Sequence, residues 1–167
     1  MSRLSRRRPG LALAQPVDAV DLQNDTRRVL ERRDRDSGKL DVRWQKDAVD
    51  AAAGTTTAET LVWSNPRNGV RRRIVSASFT PADPVIASAA AYARIRLSRR
   101  PEDGSASAHL ATLSSTKTWR AWVPSPLAFD GGPPLVEPGA SVTFRIDKIG
   151  GGVQLPKGTL LLTLVDG

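Results

Sequence analysis

The chain has 167 residues and carries 25 Lys and Arg against 17 Asp and Glu, which gives a formal net charge of +8. It has no Cys and a single His, which excludes disulfides, thiolate metal centres, cysteine nucleophiles and multi-histidine metal sites. No apolar run approaches the ~20 residues that a membrane-spanning helix needs, so we expect no membrane association. The excess of positive charge favours an anionic partner.

Composition divides the chain near residue 60. Residues 1–59 hold 22 charged residues and only 11 Leu, Ile, Val or Phe, whereas residues 60–167 hold 28 residues of these four apolar types. A segment that is rich in charge and poor in apolar residues buries too little surface to fold alone. We therefore predict an N-terminal arm over residues 1–59 and a folded domain over residues 60–167.

The arm starts with a basic tip, which consists of Arg3, Arg6, Arg7 and Arg8. The apolar run that follows, Leu11–Ala14, is shorter than the roughly 7–15 residues of a secretion signal, so we expect synthesis in the cytoplasm. The next segment, Asp18–Arg35, favours a helix because Asp21 or Asn24 can cap it. The arm is thus predicted to be extended and partly helical.

A short strand or extended strap follows the predicted helix, because Leu40, Val42 and Trp44 alternate with polar residues. Trp44 lies in the polar part of the chain, outside the predicted domain. A tryptophan outside a core often anchors a chain to a partner. The predicted partner-binding residues of the arm are therefore Arg3, Arg6, Arg7, Arg8 and Trp44.

From residue 60 the apolar residues recur with period two, which indicates strands. In Val70–Thr80 this alternation places Val75, Ala77 and Phe79 on one face and Ile74, Ser76 and Ser78 on the other. Pro124–Pro138 is predicted to be a long loop. The segments with strand character are Thr60–Ser64, Val70–Thr80, Ala89–Ser98, Ala108–Ser115, Trp119–Val123, Ser141–Lys148 and Thr159–Val165.

Strands separated by turn signals, with no helical pattern between them, favour a mostly β fold, either an antiparallel β-sandwich or a jelly roll. The last strand is so apolar that we expect it to lie inside a sheet and to be covered on both faces.

Residues with catalytic potential form no recognisable motif. His109 lies in a strand-like run without an oriented partner, and most of the candidate carboxylates lie in loops. The glycine-rich stretch Gly150–Thr159 lacks the G-K-[ST] sequence and the following helix of a phosphate-binding loop. We therefore predict no catalytic residue, no metal site and no cofactor, and hence a protein that is not an enzyme.

Two groups of arginines in the predicted strands form a possible basic surface, which comprises Arg71, Arg73, Arg94 and Arg96. Because side chains alternate along a strand, Arg72 projects opposite Arg71 and Arg73, which breaks up any single patch. A second basic strip consists of Arg94, Arg96, Arg99 and Arg100. Among the tryptophans of the folded domain, Trp119 favours a core position, and the place of Trp122 stays open.

A family resemblance is carried by Val136–Ile146 together with Gly150–Leu160. The earlier segments Leu61–Trp63 and Ile74–Phe79 are similar to the opening hairpin of the same family. They resemble the jelly-roll or TNF-like modules of tailed-bacteriophage virion surface proteins, namely head fibres and the cement proteins that decorate capsids. The resemblance covers about residues 60–167. It implies a non-enzymatic structural protein that forms homo-oligomers, with a trimer favoured. Its implied partners are major capsid or connector subunits, and its implied location is the virion.

Three hypotheses stay open. The first is a virion protein that decorates or connects capsid or tail subunits and is anchored by its arm. The second is a nucleic-acid-binding protein that uses the basic tip and the arginine-rich strands. The third is a carbohydrate-binding or carbohydrate-acting sandwich that uses Trp122, Tyr92 and loop carboxylates.

Overall fold

The structure, a computed structural model, describes residues 30–34, 38–48, 57, 59–151 and 153–167. Within these ranges no helix is long and apolar enough to cross a membrane. The strands are β1 Leu30–Asp34, β2 Lys39–Lys46, β3 Thr60–Ser64, β4 Arg72–Pro81, β5 Tyr92–Arg100, β6 Ala108–Ser114, β7 Ser125–Pro126, β8 Ala128–Phe129, β9 Leu135–Val136, β10 Ser141–Ile149 and β11 Gly158–Asp166.

The strands form two antiparallel sheets that pack face to face. Sheet I has the order β1-β2-β11-β4, and both β7 and β9 pair with the far side of β4; sheet II has the order β3-β10-β5-β6-β8. The chain crosses between the sheets repeatedly: β2 and β4 belong to sheet I and β3 and β5 to sheet II, and the chain later crosses from β10 in sheet II back to β11 in sheet I. This is the strand arrangement of a jelly roll, which confirms the predicted mostly β sandwich.

The core lies between the two sheets and is built from every second residue of the long strands. In β11 the side chains of Leu160, Leu162 and Leu164 are fully buried. Because β11 pairs with β2 on one side and β4 on the other, it lies inside sheet I as predicted. Its outward residues, including Leu161, are only half-buried, so the expectation of full cover on both faces holds for the inner face alone.

Strand β2 belongs to this sandwich. It pairs with β11 from Leu40 to Lys46, and it contributes Leu40, Val42 and Trp44 to the core. The folded unit therefore includes residues 39–46, which lie on the arm side of the predicted boundary at residue 60. Without β2, one edge of β11 would be unpaired. A strand with alternating apolar residues can pair with that edge and extend the core.

The predicted helix over Asp18–Arg35 is wrong for Leu30–Asp34. This segment is β1, which pairs with Arg43–Lys39 of β2 in antiparallel register. Pairing with a formed sheet satisfies the backbone of a segment whose apolar stripe is too thin to support a helix. The rest of the predicted helix lies outside the described residues.

A β-bulge in β4 changes which of its residues face the core. Thr163 of β11 pairs with Ser76 and Leu164 pairs with Ile74, so Val75 is the extra residue. The bulge resets the alternation, with Ile74, Ala77 and Phe79 buried and Val75 exposed. The predicted grouping of Val75 with Ala77 and Phe79 is therefore wrong, and Ile74, predicted to lie on the opposite face, shares their buried face. The predicted loop Pro124–Pro138 is also interrupted by β7, β8 and β9, which are two residues long each.

Candidate binding groove on sheet I

The outer face of sheet I has a regular polar surface because the antiparallel register aligns side chains in rows across β2, β11 and β4. One row consists of Gln45, Thr159 and Thr80, and the next consists of Arg43, Leu161 and Ser78. These residues alternate with buried ones, so they face away from the core. Amide, hydroxyl and apolar groups thus lie side by side at the end of the sheet.

Trp122 stands beside the first row and is 73% exposed. The chain reaches it from Trp119, whose backbone exchanges two 2.9 Å hydrogen bonds with Val85. The Trp122 amide then donates to the Pro81 carbonyl at 2.8 Å, which fixes the residue over the end of β4. Its φ is 61°, a left-handed conformation that is rare for an aromatic residue.

Together these residues enclose a groove of about 530 Å³, which we call the Trp122 groove. Its volume lies within the ~300–1,000 Å³ typical of small-ligand sites. The residues that line it are Arg43, Gln45, Lys46, Asp47, Thr80, Ala82, Trp122, Lys157, Gly158, Thr159 and Leu161.

Positive charge dominates the Trp122 groove, since three basic residues and one acidic residue line it. Arg43 and Lys157 are exposed, and neither has an acidic partner in the part of the chain that the structure describes. The neighbouring surface is different. There Asp41 lies 3.3 Å from the Lys39 ammonium and accepts a 2.8 Å hydrogen bond from Thr163. Two cations at the groove end of this face are therefore available to a ligand.

The predicted anchor residue Trp44 needs correction. It is 1% exposed, and its ring packs against Phe144 of sheet II at a centroid distance of 4.8 Å. The ring bridges the two sheets and cannot contact a partner in this fold. The other predicted anchor residues, Arg3, Arg6, Arg7 and Arg8, lie outside the described residues.

The four arginines of the predicted basic surface lie on opposite sides of the sandwich. Arg73 faces outward on sheet I, and Arg71 just before β4 is paired with Glu137 at 2.9 Å. Arg94 and Arg96 face outward on sheet II, where Arg96 lies 2.5 Å from Asp147. These residues therefore do not form one continuous surface.

Several cations of sheet II have partners within the protein. Asp147 also pairs with Arg145 at 3.1 Å, and Glu59 accepts a 2.6 Å hydrogen bond from Arg100. This hydrogen bond is the main reason that the pKa of Glu59 lies below its ordinary value. Arg94 instead donates to the Tyr92 hydroxyl at 3.0 Å. Cations that already have internal partners contribute less to the binding of an outside anion.

His109 has polar neighbours but lacks the arrangement of a catalytic base. Its Nε2 atom lies 2.8 Å from Thr112 Oγ1 and 3.4 Å from the Asp130 carboxylate. A catalytic histidine uses one nitrogen for the nucleophile and the other for the orienting acid, whereas here both neighbours share one nitrogen. Among the described residues there is also no cluster of three or more His, Asp and Glu that could hold a metal ion.

No protein-family model matches the chain, and no match is found among curated proteins. A solved structure of an arabinose-bound GH51 α-L-arabinofuranosidase is similar, with 12% identity and a TM-score of 0.30. The similarity covers 91% of this chain and 24% of the arabinofuranosidase chain, so the chain spans about a quarter of that enzyme's length.

Sequence reasoning singled out Trp122 but did not find the groove. The groove depends on Arg43 and Gln45 of β2, and the sequence places these residues in the arm. The available signal was the alternation of Leu40, Val42 and Trp44, which predicts that the residues between them face away from the core.

Proposed function

We propose that the chain is a non-enzymatic structural protein of a bacteriophage-like virion, where it decorates or connects capsid or tail subunits. The observation that carries this proposal is the jelly-roll strand order of the two sheets, an architecture common in viral capsid domains and lectins. Because a fold hosts many functions, the charge adds a second argument. A net charge of +8 suits a protein that binds to an acidic protein lattice.

The entry of the chain into the sandwich fits an anchoring arm. Residues 1–29 lead into β1, which is the outermost strand of sheet I. An arm that starts at the edge of a sheet can reach a neighbouring subunit without crossing the core. Since Trp44 is a core residue, the proposed anchor consists of the basic tip formed by Arg3, Arg6, Arg7 and Arg8.

Binding to particles tests this proposal. The full chain, a variant lacking residues 1–29, and a variant with all four tip arginines changed to Gln would be sedimented with particles purified from the organism that encodes the chain. We expect the full chain to sediment with the particles and both variants to remain in the supernatant while keeping the far-UV spectrum of a β protein. Equal sedimentation of all three proteins would contradict the anchor, and no sedimentation of the full chain would contradict the virion role.

The oligomeric state gives an independent measurement. We propose a homo-oligomer, with a trimer as the favoured form, and three well-exposed apolar side chains, Leu61, Ile86 and Val123, are candidates for covered positions. Native mass spectrometry of the full chain should show a trimer. A monomer at micromolar concentration would contradict the homo-oligomer.

Nucleic-acid binding is the alternative. Against it, the arginines of the predicted basic surface lie on two opposite faces, and two of the four have acidic partners. If the alternative holds, duplex DNA binds at low salt with an affinity that falls steeply as salt rises, and the tip variant loses this binding. Unchanged fluorescence anisotropy of labelled DNA at low salt would eliminate it.

A further inference from the structure

We propose that the Trp122 groove binds an acidic oligosaccharide, that is, a glycan whose sugars carry carboxylate groups, as uronic acids do. This inference concerns a different surface from the anchoring arm and does not depend on the virion role. It is carried by three features of the groove: an exposed indole, unpaired cations, and a floor of hydroxyl and amide groups.

The indole of Trp122 offers a flat apolar face to a ligand. The C–H face of a pyranose ring is also flat and apolar, so stacking the two removes apolar surface of both from water. The residue keeps its exposed position in spite of an unfavourable φ of 61°, because its amide is hydrogen-bonded to Pro81. Strained backbone of this kind is concentrated at ligand-binding sites.

The cations select an anionic sugar. Arg43 lies in the row that neighbours the row of Thr159, and Lys157 lies two residues before Thr159 along the chain. Both side chains therefore border the polar floor. Neither has an acidic partner among the described residues. A guanidinium binds a carboxylate through two parallel hydrogen bonds, and this geometry makes Arg43 the main candidate for the carboxylate contact.

The floor favours a polyhydroxylated ligand over a peptide strand. Gln45, Thr80 and Thr159 present an amide and two hydroxyls in one row, which can both donate to and accept from sugar hydroxyls. The backbone of β11 already pairs with β2 and β4 on its two sides. A peptide that binds by strand addition needs free backbone groups at a sheet edge, and β11, which runs through the middle of the floor, has none to offer.

Quenching of tryptophan fluorescence by acrylamide provides the test. Of the four tryptophans only Trp122 is exposed, since the other three are at most 4% exposed. The full-length protein would be titrated with oligogalacturonate, with the same oligomer after reduction of its carboxyl groups, and with a poly-glutamate peptide. We expect oligogalacturonate to protect Trp122 from acrylamide and the other two compounds to leave the quenching unchanged.

Variants locate the binding site. We expect Trp122→Ala and Arg43→Gln each to weaken the affinity for oligogalacturonate about tenfold or more, measured by calorimetry, because the first removes the stacking surface and the second removes the charged hydrogen-bond donor. Arg73→Gln removes the same charge from the same face at the other end of the sheet, and it should leave the affinity within about twofold. Lys157→Gln should give an intermediate loss.

Each contrary result overturns the proposal. Absence of protection by oligogalacturonate excludes the site, and equal protection by the carboxyl-reduced oligomer excludes acidic specificity. Binding of poly-glutamate alone would assign the groove to a peptide. An equal loss for Arg73→Gln and Arg43→Gln would indicate attraction by overall charge. Because all four variants alter exposed residues, matching thermal melts show whether a loss of affinity reflects unfolding.

Discussion

Arg72 forms an ion pair with Asp166, and the pair joins the start of β4 to the end of β11. The same guanidinium nitrogen of Arg72 donates to the Gly38 carbonyl at 2.8 Å. The side chain of Arg72 is 8% exposed, whereas that of Asp166 is 57% exposed. Gly38 has a φ of 64°, and a β-carbon there would lie 2.9 Å from the Asp166 carboxylate. A buried charge, its acidic partner and a glycine turn thus form one unit that fixes the entry of β2 into sheet I.

Loss of the Asp166 carboxylate should destabilise the sandwich. We expect Asp166→Asn to lower the free energy of unfolding by about 1–2 kcal/mol, because the buried Arg72 loses its charged partner and keeps neutral acceptors such as the Gly38 carbonyl. Urea denaturation at neutral pH measures the change. Asp83→Asn is the matched control, since Asp83 is exposed and has no ion pair among the described residues. An equal effect of both substitutions would contradict a structural role for the pair.

Truncation of Trp44 separates a core role from an anchoring role. The ring is buried between the sheets against Phe144, so we expect Trp44→Ala to cost about 3–5 kcal/mol of unfolding free energy. Its indole nitrogen has no hydrogen-bond partner in the described structure, so Trp44→Phe removes no polar contact and should cost less. Denaturant unfolding of both variants tests this expectation. Wild-type stability of Trp44→Ala, together with weaker particle binding, would restore the anchoring interpretation.

The Glu59–Arg100 pair should make stability depend on pH. The hydrogen bond from Arg100 holds the pKa of Glu59 below its ordinary value, and Thr143 adds a weaker contact at 3.4 Å. A carboxyl whose pKa is lowered by folding stabilises the folded state above its unfolded pKa, and this contribution is lost as the pH falls through the folded value. We therefore expect Glu59→Gln to lower the free energy of unfolding by about 1 kcal/mol or less near pH 7. The effect is small because the Arg100 side chain is half-exposed and water screens the pair.

Urea denaturation across a pH series gives the corresponding measurement. The stability difference between wild type and Glu59→Gln should shrink as the pH falls below the ordinary glutamate value of about 4.3. A Glu102→Gln control reports the effect of losing a more exposed carboxylate, since the side chain of Glu102 is 44% exposed. A stability difference that stays constant down to about pH 2.5 would show that Glu59 does not act through its charge.

The regular parts of the fold follow from the sequence because burial imposes a period of two on each long strand. On this basis Ala77 and Phe79 are predicted to share one face of their strand, and both are buried. The predicted core position of Trp119 is also correct. The period fails where the pairing is irregular. Val75 is separated from the face of Ala77 and Phe79 because the bulge opposite Leu164 depends on β11, and Leu164 lies 89 residues after Val75 in the sequence.

The groove was hidden for a similar reason. The residues of its floor come from β2, β4 and β11, and only long-range pairing places Arg43 beside Leu161. Local composition assigns β2 to a polar arm, because β2 has few apolar residues. Those residues are buried only when β2 pairs with the neighbouring strand. The exposed position of Trp122 also depends on a tertiary contact, the hydrogen bond to Pro81, which no local pattern reveals.

The backbone of Trp122 should be more stable with glycine than with alanine. At a φ of 61° any residue with a β-carbon is strained, and glycine is not. Both substitutions remove the indole, and both keep the amide that donates to Pro81, so they differ in the β-carbon alone. We expect Trp122→Gly to exceed Trp122→Ala in free energy of unfolding by on the order of 1 kcal/mol, since the relief of strain outweighs the greater freedom of an unfolded glycine. Chemical denaturation of the two variants measures the difference, and Ile86→Gly against Ile86→Ala provides the control at another exposed apolar position. If Trp122→Ala were as stable as Trp122→Gly, the left-handed conformation of Trp122 would carry no strain.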